Sequence, residues 1–486
     1  MTLAKRSVIS VGWNVALSVV QVAVGFVRSV ILARLLPVEA FGIYAFAGSI
    51  VTLSTILPNF GMGGAFLHRS EETEDENKTA AVHLTLKAIF TTIWMAVLLL
   101  GALIFTTGQT RLALSVLTIT QGGVLLCQTP NLILVRRVVH RRLALLQSLN
   151  IVVSAVTAVL LAWSGIELWA LLSTDVITLI LTVFFLYIWR PVWRPRLTWS
   201  PPAMRYFLRY GRSNIVAQAL LKALDRVDDL WTGAYLGNTA MGYYSRAYAF
   251  ATYPRMILAQ SINQVAGGTY AEVAKERKRL SQAFFRTNAF LVRSGFYLAG
   301  LLALIAPELI RLLLGVKWLP MLDAFRLMLV FTLFDPIKMT VSNLFLAVGR
   351  PQEVVRARGV QLAIMVAGLF ILGPRWGIAG VALAVDIMLV VGIVILLHQS
   401  RKFVDFSARV LFLVPGLGVV LGLLLAQAAI ALPGISGSLW RTGFLKASVF
   451  TILYGAVLVL LERHQLQEML QFLKRRVIAR SNQVGG

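Results

Sequence analysis

Long apolar runs separated by short polar segments dominate the chain. Runs of about twenty mostly apolar residues recur from end to end, and a helix of about that length crosses a hydrocarbon layer about 30 Å thick. The segments between the runs are short and carry Gly, Pro or charge, which is typical of turns between spans. The pattern therefore predicts an all-α integral membrane protein with about fourteen transmembrane helices. The predicted spans are residues 8–33, 41–67, 81–106, 112–135, 143–164, 169–189, 213–236, 241–270, 280–306, 321–348, 357–373, 377–399, 410–431 and 443–461.

The composition agrees with a membrane location. Of the 486 residues, 58% are hydrophobic and only 14% are charged, whereas about a quarter of an average soluble chain is charged. Cys127 is the only cysteine, so an internal disulfide and a cysteine-rich metal site are excluded. The five histidines form no compact metal-binding motif. We therefore predict no metal site.

Basic residues are distributed unevenly between the predicted loops. With fourteen spans, both termini lie on one side of the membrane, and about thirty loop Lys and Arg residues fall on that side against six on the other. By the positive-inside rule the termini are predicted to be cytoplasmic. This asymmetry accounts for most of the net charge of +25, so no nucleic-acid partner is predicted. The basic tail, residues 463–486, is expected to rest on anionic membrane lipids.

Two segments of the first half of the chain recur in the second half. At an offset of 200 residues, Gly42 matches Gly242 and Tyr44 matches Tyr244, within a longer set of identities. At an offset of 212, the segment that begins at Gly165 matches the one that begins at Gly377. Repeats of this length predict two related halves of one membrane domain.

The repeats and the spans together predict five parts of the chain. They are an N-lobe at 1–190, a cytoplasmic interlobe linker at 191–212, a C-lobe at 213–400, two additional spans within 401–462, and the cytoplasmic tail at 463–486.

Several basic residues within the predicted spans have no acidic neighbour at helical spacing. An ionised side chain that faces lipid at the midplane costs about 3 kcal/mol, so these residues are expected to line an aqueous cavity with positive charge. They are Arg28, Lys87, Arg255 and Arg293. Polar residues of the same helices are predicted to line the cavity too, or else to join helices by hydrogen bonds. These are Asn14, Gln21 and Asn263.

The seventh span carries five charges of both signs. Its bases and acids interleave at spacings of three and four residues, so the helix can largely neutralise itself. One carboxylate is in excess, which leaves two interpretations open: a structural ion ladder, or a site that couples transport to protons or cations. The residues are Lys222, Asp225, Arg226, Asp228 and Asp229. Asp335 and Lys338 form a second predicted pair beside Pro336.

Signatures of enzymes are missing from the sequence. It has no Gly-rich Walker loop for ATP, and no predicted outward loop is long enough for a catalytic domain. We therefore predict that the protein is not an enzyme and needs no cofactor. Any energy that it uses is expected to come from the membrane potential alone or from coupling to protons or Na⁺.

Four segments, in order, resemble one family: Arg28–Tyr44, Asn59–Arg69, Val135–Ala144 and Leu236–Tyr248. The chain is similar to the polysaccharide-export flippases of the multidrug/oligosaccharidyl-lipid/polysaccharide (MOP) transporter superfamily. The resemblance implies two pseudo-symmetric six-helix lobes in a V around a central cavity, two additional C-terminal helices, alternating access and a place in the bacterial inner membrane. It also implies that Arg28 and Arg255 are cavity residues.

The same resemblance implies the substrate, an undecaprenyl-pyrophosphate-linked sugar used for O-antigen, capsule or exopolysaccharide, and polymerase or export proteins as partners. A positive cavity suits the pyrophosphate, because Arg and Lys donate charge-assisted hydrogen bonds to its oxygens. One alternative is a multidrug/cation antiporter of the same superfamily, for which an acidic or apolar cavity is expected. Another is a membrane polysaccharide polymerase or ligase, for which a large outward loop is expected.

Overall fold

The computed structural model describes residues 20–68, 75–137, 140–430 and 438–484, without the side chains of 68, 140, 141, 213, 257–265, 430 and 464–484. Over these ranges the chain is helical and contains no β-strand, which confirms the predicted all-α class. The helices are α1 (20–35), α2 (Val38–Ser54), α3 (Ile56–Asn59), α4 (Met62–His68), α5 (Glu76–Phe105), α6 (Gly108–Leu126), α7 (Gln128–Arg136), α8 (His140–Trp163), α9 (Glu167–Val183), α10 (Pro201–Trp231), α11 (Gly237–Glu272), α12 (Arg277–Leu313), α13 (Leu322–Ala347), α14 (Pro351–Ser400), α15 (Ala408–Ile430) and α16 (Leu439–Val484).

Ten helical segments of the described ranges are long and apolar enough to cross a membrane. The prediction of fourteen spans differs from this number at particular places. The first predicted span lies partly outside the described residues, and α10 and α11 are absent from the ten. Helix α14 counts as one segment of 50 residues but is bent back on itself. The membrane-spanning character of the protein is therefore confirmed, while the number fourteen stays a prediction.

The bend in α14 lies at Gly377, where φ is 54° and ψ is −136°. Only glycine adopts such a conformation without strain. The two arms then pack closely: a Cβ built on Gly380 would lie 2.1 Å from the Leu372 carbonyl oxygen, and one on Gly368 would lie 2.8 Å from the Ala384 Cβ. Small residues allow such close approach of membrane helices. The two arms agree with the predicted spans at 357–373 and 377–399.

The described residues fall into two compact units. One is formed by Ala23–Ser245, and the other by Arg246 onwards together with the chain before Ala23. The segment 191–212, predicted as a linker between lobes, is irregular only as far as Ser200, because Pro201 opens α10. Proline favours this first helical position, where its missing N–H is not needed. Within the first unit, α10 packs against α2, α4 and α5. The predicted division into lobes stays a prediction.

Each unit has its own apolar core. In the first unit, Phe66 and Phe207 pack with Trp193. In the second, Tyr270 and Phe284 belong to a core built by α11, α12, α13 and α14. A smaller cluster joins α12 to α15 and α16. It contains Tyr297, Phe450 and Tyr454, whose rings lie 5.6–6.1 Å apart.

The repeated glycines meet each other within the first unit, where α2 crosses the beginning of α11. A Cβ on Gly42 would lie 1.7 Å from the carbonyl oxygen of Asn238, and a Cβ on Gly242 would lie 2.2 Å from that of Val38. The contact is reciprocal, because residue 42 approaches residue 238 and residue 242 approaches residue 38 at the same offset of 200. A local two-fold relation between the repeated segments follows.

A methyl group at either repeated glycine should destabilise the protein. We expect Gly42→Ala and Gly242→Ala each to lower the free energy of unfolding by about 1–3 kcal/mol, the usual range for overpacking. Gly48→Ala is the matched control in α2, because no atom lies within 4 Å of its added Cβ and alanine favours the helix. Thermal unfolding in detergent measures the effect. Equal melting temperatures for the Gly42 and Gly48 variants would contradict the contact.

The predicted topology places Thr239 outside the cell and Arg196 in the cytoplasm, and both residues are exposed. Cys127 is buried, and a Cys127→Ala background removes it. In intact cells, an impermeant maleimide should label Thr239→Cys but not Arg196→Cys unless the membrane is permeabilised. Labelling of Arg196→Cys alone from outside would reverse the assigned orientation.

Candidate functional site

Arg28 lies beside polar groups of α9 in the first unit. Its guanidinium donates a hydrogen bond to the Thr174 hydroxyl. The next residue, Asp175, accepts a hydrogen bond of 2.8 Å from the Tyr44 hydroxyl, and the charge of Arg28 acts on the Asp175 carboxyl. Arg28 itself is only partly buried. The sequence had suggested no acidic neighbour for Arg28, because Asp175 is distant along the chain.

Lys87 has a structural environment in this conformation. Its side chain is fully buried, and its ammonium donates to the Pro58 carbonyl at 2.9 Å and to Asn59 Oδ1 at 2.7 Å. Helix α3 ends here, with Phe60 in the left-handed region at φ 36°, and helix ends leave carbonyls without backbone partners. The ammonium of Lys87 therefore binds the helix end in this conformation and is shielded from solvent. Its predicted role in the cavity stays a prediction.

Lys222 of α10 binds the neighbouring end of α2. Its ammonium donates to the Thr55 hydroxyl and lies 3.5 Å from the Thr52 carbonyl oxygen. The charges of Lys222 and Lys87 act on each other. Lys222 thus stabilises the break between α2 and α3, and Lys87 stabilises the end of α3.

Two acids of the α10 ladder, Asp228 and Asp229, are buried, whereas Asp225 is exposed and Arg226 is partly exposed. Arg226 Nη1 lies 3.1 Å from Asp229 Oδ2, at the predicted spacing of three residues, and the Ser49 hydroxyl donates to the same oxygen at 3.1 Å. Asp228 accepts a bond of 2.6 Å from the Tyr244 hydroxyl. The ladder is therefore formed in part by contacts outside α10. A role for Asp225, Asp228 or Asp229 in coupling stays a prediction.

Arg255 is the first cation of a buried triad in the second unit. Its Nη1 lies 2.7 Å from Asp335 Oδ2, and Lys338 Nζ lies 2.6 Å from Asp335 Oδ1. The predicted pair of Asp335 and Lys338 is present, and Arg255, which has no acid at helical spacing, joins it as a second cation. The partner lies on α13, too far along the chain for helical spacing to reveal. Two cations share one carboxylate, so the triad keeps one positive charge, and Arg255 and Lys338 remain 24% and 28% exposed.

Arg293 belongs to a buried ion pair. Its Nε donates to Glu462 Oε2 at 2.7 Å, and the two side chains are only 5% and 3% exposed. Its Nη1 donates to the Ala289 carbonyl. Glu462 lies at the kink of α16, where φ is −130°. Arg293 therefore fixes α16 to α12 in this conformation, and its predicted role in the cavity stays a prediction.

The structure describes the side chain of one of the three predicted polar residues. Asn14 lies outside the described residues, and the side chain of Asn263 is also outside them. Gln21 is partly buried on α1. Of the four predicted cavity cations, Arg28 and Arg255 are only partly buried. Their role as a linker-binding site stays a prediction.

Loss of one partner from the buried ion pair of Arg293 and Glu462 should destabilise the protein more than loss of one partner from a surface ion pair. Glu462→Gln leaves Arg293 buried without a counterion, which should cost about 3–5 kcal/mol, and Arg293→Gln together with Glu462→Gln should recover most of this loss. The exposed pair of Glu353 and Arg356 is the control, because Glu353→Gln should change stability by less than about 1 kcal/mol. Thermal unfolding decides the outcome. An unchanged melting temperature for Glu462→Gln would contradict the structural role.

Comparisons with known proteins agree with this architecture. The lipopolysaccharide biosynthesis protein WzxC of Escherichia coli is 22% identical over 389 residues, which cover 79% of this chain and 78% of WzxC. The succinoglycan biosynthesis transport protein ExoT of Rhizobium meliloti is 26% identical over 322 residues, which cover 65% of this chain and 64% of ExoT.

Solved transporters share the fold. The lipid II flippase MurJ, in its inward closed conformation, superposes with a TM-score of 0.73 over 93% of this chain and 99% of MurJ, at 15% identity. A multidrug resistance transporter of the MATE family, a member of the MOP superfamily, superposes with a TM-score of 0.60 over 79% of this chain and 94% of that one, at 17% identity. The profile of the polysaccharide biosynthesis protein family matches residues 31–323. The chain therefore belongs to the polysaccharide biosynthesis protein family, as the resemblance in its sequence had predicted.

Proposed function

We propose that this protein flips a lipid-linked oligosaccharide from the cytoplasmic to the outer leaflet of the bacterial inner membrane, for the biosynthesis of a surface polysaccharide. The family match over residues 31–323 is the observation that carries the proposal. The all-α membrane fold, shared with a lipid II flippase and a MATE transporter, supports transport as the activity. The substrate class is an undecaprenyl-pyrophosphate-linked sugar.

The two partly exposed arginines suit the pyrophosphate linker. A guanidinium offers a planar fork of donors that matches phosphate oxygens, and hydrogen bonds between charged groups are stronger than neutral ones. The triad of Arg255, Lys338 and Asp335 keeps one net positive charge for an anion.

A multidrug/cation antiporter is the alternative within the same superfamily. A cationic drug calls for a carboxylate that is available to it. The two acids closest to the candidate cations are already engaged, Asp175 with Tyr44 and Asp335 with Arg255 and Lys338. The positive side of the triad therefore favours an anionic substrate.

The membrane potential can supply the driving force. A pyrophosphate linker carries about two negative charges, and the cytoplasm is the negative side of the membrane. Moving two such charges outward through the full field gains about 4.6 kcal/mol per 100 mV. Such a cycle needs no ATP, which agrees with the missing nucleotide loop.

Arg255 allows transport to be tested separately from folding. In Arg255→Gln, Asp335 keeps Lys338 as its counterion, so we expect normal expression and melting temperature but at least a tenfold lower rate of flipping, equivalent to about 1.4 kcal/mol. Arg28→Gln should lose transport in the same way. Lysine at either position should restore only part of the rate, because it lacks the bidentate fork. Arg356→Gln, at an exposed residue, is the control.

The measurement is flipping of a fluorescent undecaprenyl-pyrophosphate oligosaccharide in proteoliposomes, with a potential set by a potassium gradient and valinomycin. We expect the wild-type rate to rise between zero and 100 mV, negative on the cytoplasmic side. A rate that does not depend on the potential, with both glutamine variants fully active, would refute the linker site.

A further inference from the structure

Asp386 is a buried carboxyl group that has no hydrogen-bond or ion-pair partner among the described residues. It lies in the second arm of α14, nine residues after the bend at Gly377 and fourteen before the end of the helix at Ser400. At 1.5 Å per residue these separations are about 14 and 21 Å, so Asp386 lies near the middle of the span. Its side chain belongs to a residue that is 5% exposed. Both carboxyl oxygens are buried, and no described residue forms a hydrogen bond with either of them.

The surroundings of Asp386 along α14 are apolar. The positions three and four residues away are Leu383, Ala382, Leu389 and Val390. Helix α13 is the helix that packs most extensively against α14. Its charged residues are Asp323, Arg326, Asp335 and Lys338, and none of them forms an ion pair or hydrogen bond with Asp386.

Asp386 differs in this respect from the other buried acids of the described residues. Every other buried carboxylate has a donor. The pairs are Asp228 with Tyr244, Asp229 with Ser49 and Arg226, Glu308 with Lys446, Asp335 with Arg255 and Lys338, and Glu462 with Arg293. An ionised carboxylate without a counterion is strongly unfavourable at this depth. Protonation of Asp386 would remove that charge.

The sequence repeat shows that the position of Asp386 is a polar one in both halves. At the offset of 212 residues that relates Gly165 to Gly377, Asp386 corresponds to Thr174. Thr174 accepts a hydrogen bond from Arg28. Burial of a carboxyl group is unfavourable even when the group is neutral, so leucine would be more stable at this position. An ionisable residue inside a membrane helix generally marks an ion or proton path.

We propose that Asp386 is a proton-binding site that is loaded in this conformation and releases its proton when the cycle exposes it to water. The inference rests on the proposed function, because it makes the proton gradient a driving force for flipping. The proton binds to a carboxylate oxygen and leaves from the same oxygen, so no other reactant is required. A Na⁺ ion would need several oxygen ligands, and the transport experiment below distinguishes it from a proton.

Carbodiimide labelling tests the protonated state without any transport assay. Dicyclohexylcarbodiimide reacts with protonated carboxyl groups in apolar surroundings and forms a stable acylurea there. In the purified protein at pH 7, mass spectrometry should find the adduct on Asp386, whereas Asp335, held between Arg255 and Lys338, should stay unmodified. Asp386→Asn should lose the adduct. Absence of an adduct on Asp386 in the wild-type protein, at pH values down to 5, would refute a protonated carboxyl.

Stability provides an independent control. Asp386→Asn replaces a neutral acid by a neutral amide of nearly the same shape, so the melting temperature should stay within a few degrees of the wild type. Asp335→Asn should lower it markedly, because Arg255 and Lys338 lose their counterion. A marked fall for Asp386→Asn would indicate an ionised, structural carboxylate and would contradict the proposal.

Flipping in proteoliposomes tests the coupling. At zero potential, a pH gradient that is acidic on the outer side should accelerate flipping by the wild-type protein and by Asp386→Glu, whereas Asp386→Asn should flip at the rate seen without a gradient. An equal response of Asp386→Asn and wild type would overturn the proposal. Loss of a Na⁺-driven rate in Asp386→Asn, with no effect of pH, would assign the site to Na⁺ and would also overturn it. If no variant flips the substrate under any condition, the proposed function fails, and the labelling experiment still decides whether Asp386 holds a proton.

Discussion

A charge inside a membrane protein must be neutralised where it lies, and this constraint explains most of the polar contacts described above. Arg293 and Glu462 neutralise each other at a distance of 2.7 Å with almost no exposure to solvent. Lys446 and Glu308 do so at 2.6 Å. Both pairs connect α12 to α16, so the additional C-terminal helices are held by ionic contacts as well as by aromatic packing. Removal of one partner from such a pair leaves a charge that hydrocarbon cannot solvate.

Where neutralisation is incomplete, the protein keeps a charge that a ligand can bind. The triad around Asp335 has two cations for one carboxylate, and its cations are partly exposed. A substrate anion can bind to this excess of positive charge. Asp386 represents the opposite solution, in which a proton replaces the missing cation. The same physical requirement thus separates structural pairs from groups that are available for transport.

Sequence reasoning predicted the membrane class, the apolar helices and the family, because these depend on local periodicity and on short segments of similarity. It also found the pair of Asp335 and Lys338, which lie three residues apart on one helix. It failed where partners are distant along the chain. Arg255 finds its carboxylate 80 residues away, and Arg293 finds one 169 residues away. A basic residue that lacks an acid at helical spacing therefore says little about its partners in three dimensions.

The reciprocal contact of Gly42 and Gly242 has a consequence for the origin of the chain. In a two-fold assembly of identical halves, the same surface serves on both sides of the interface. A single ancestral half with one glycine at this position could pair with a second copy of itself. The glycine of each copy would then make one of the two close contacts, although both glycines would be encoded by the same codon. After fusion of the halves, each glycine is encoded separately, and a mutation at either codon damages only one side of a contact that still depends on both.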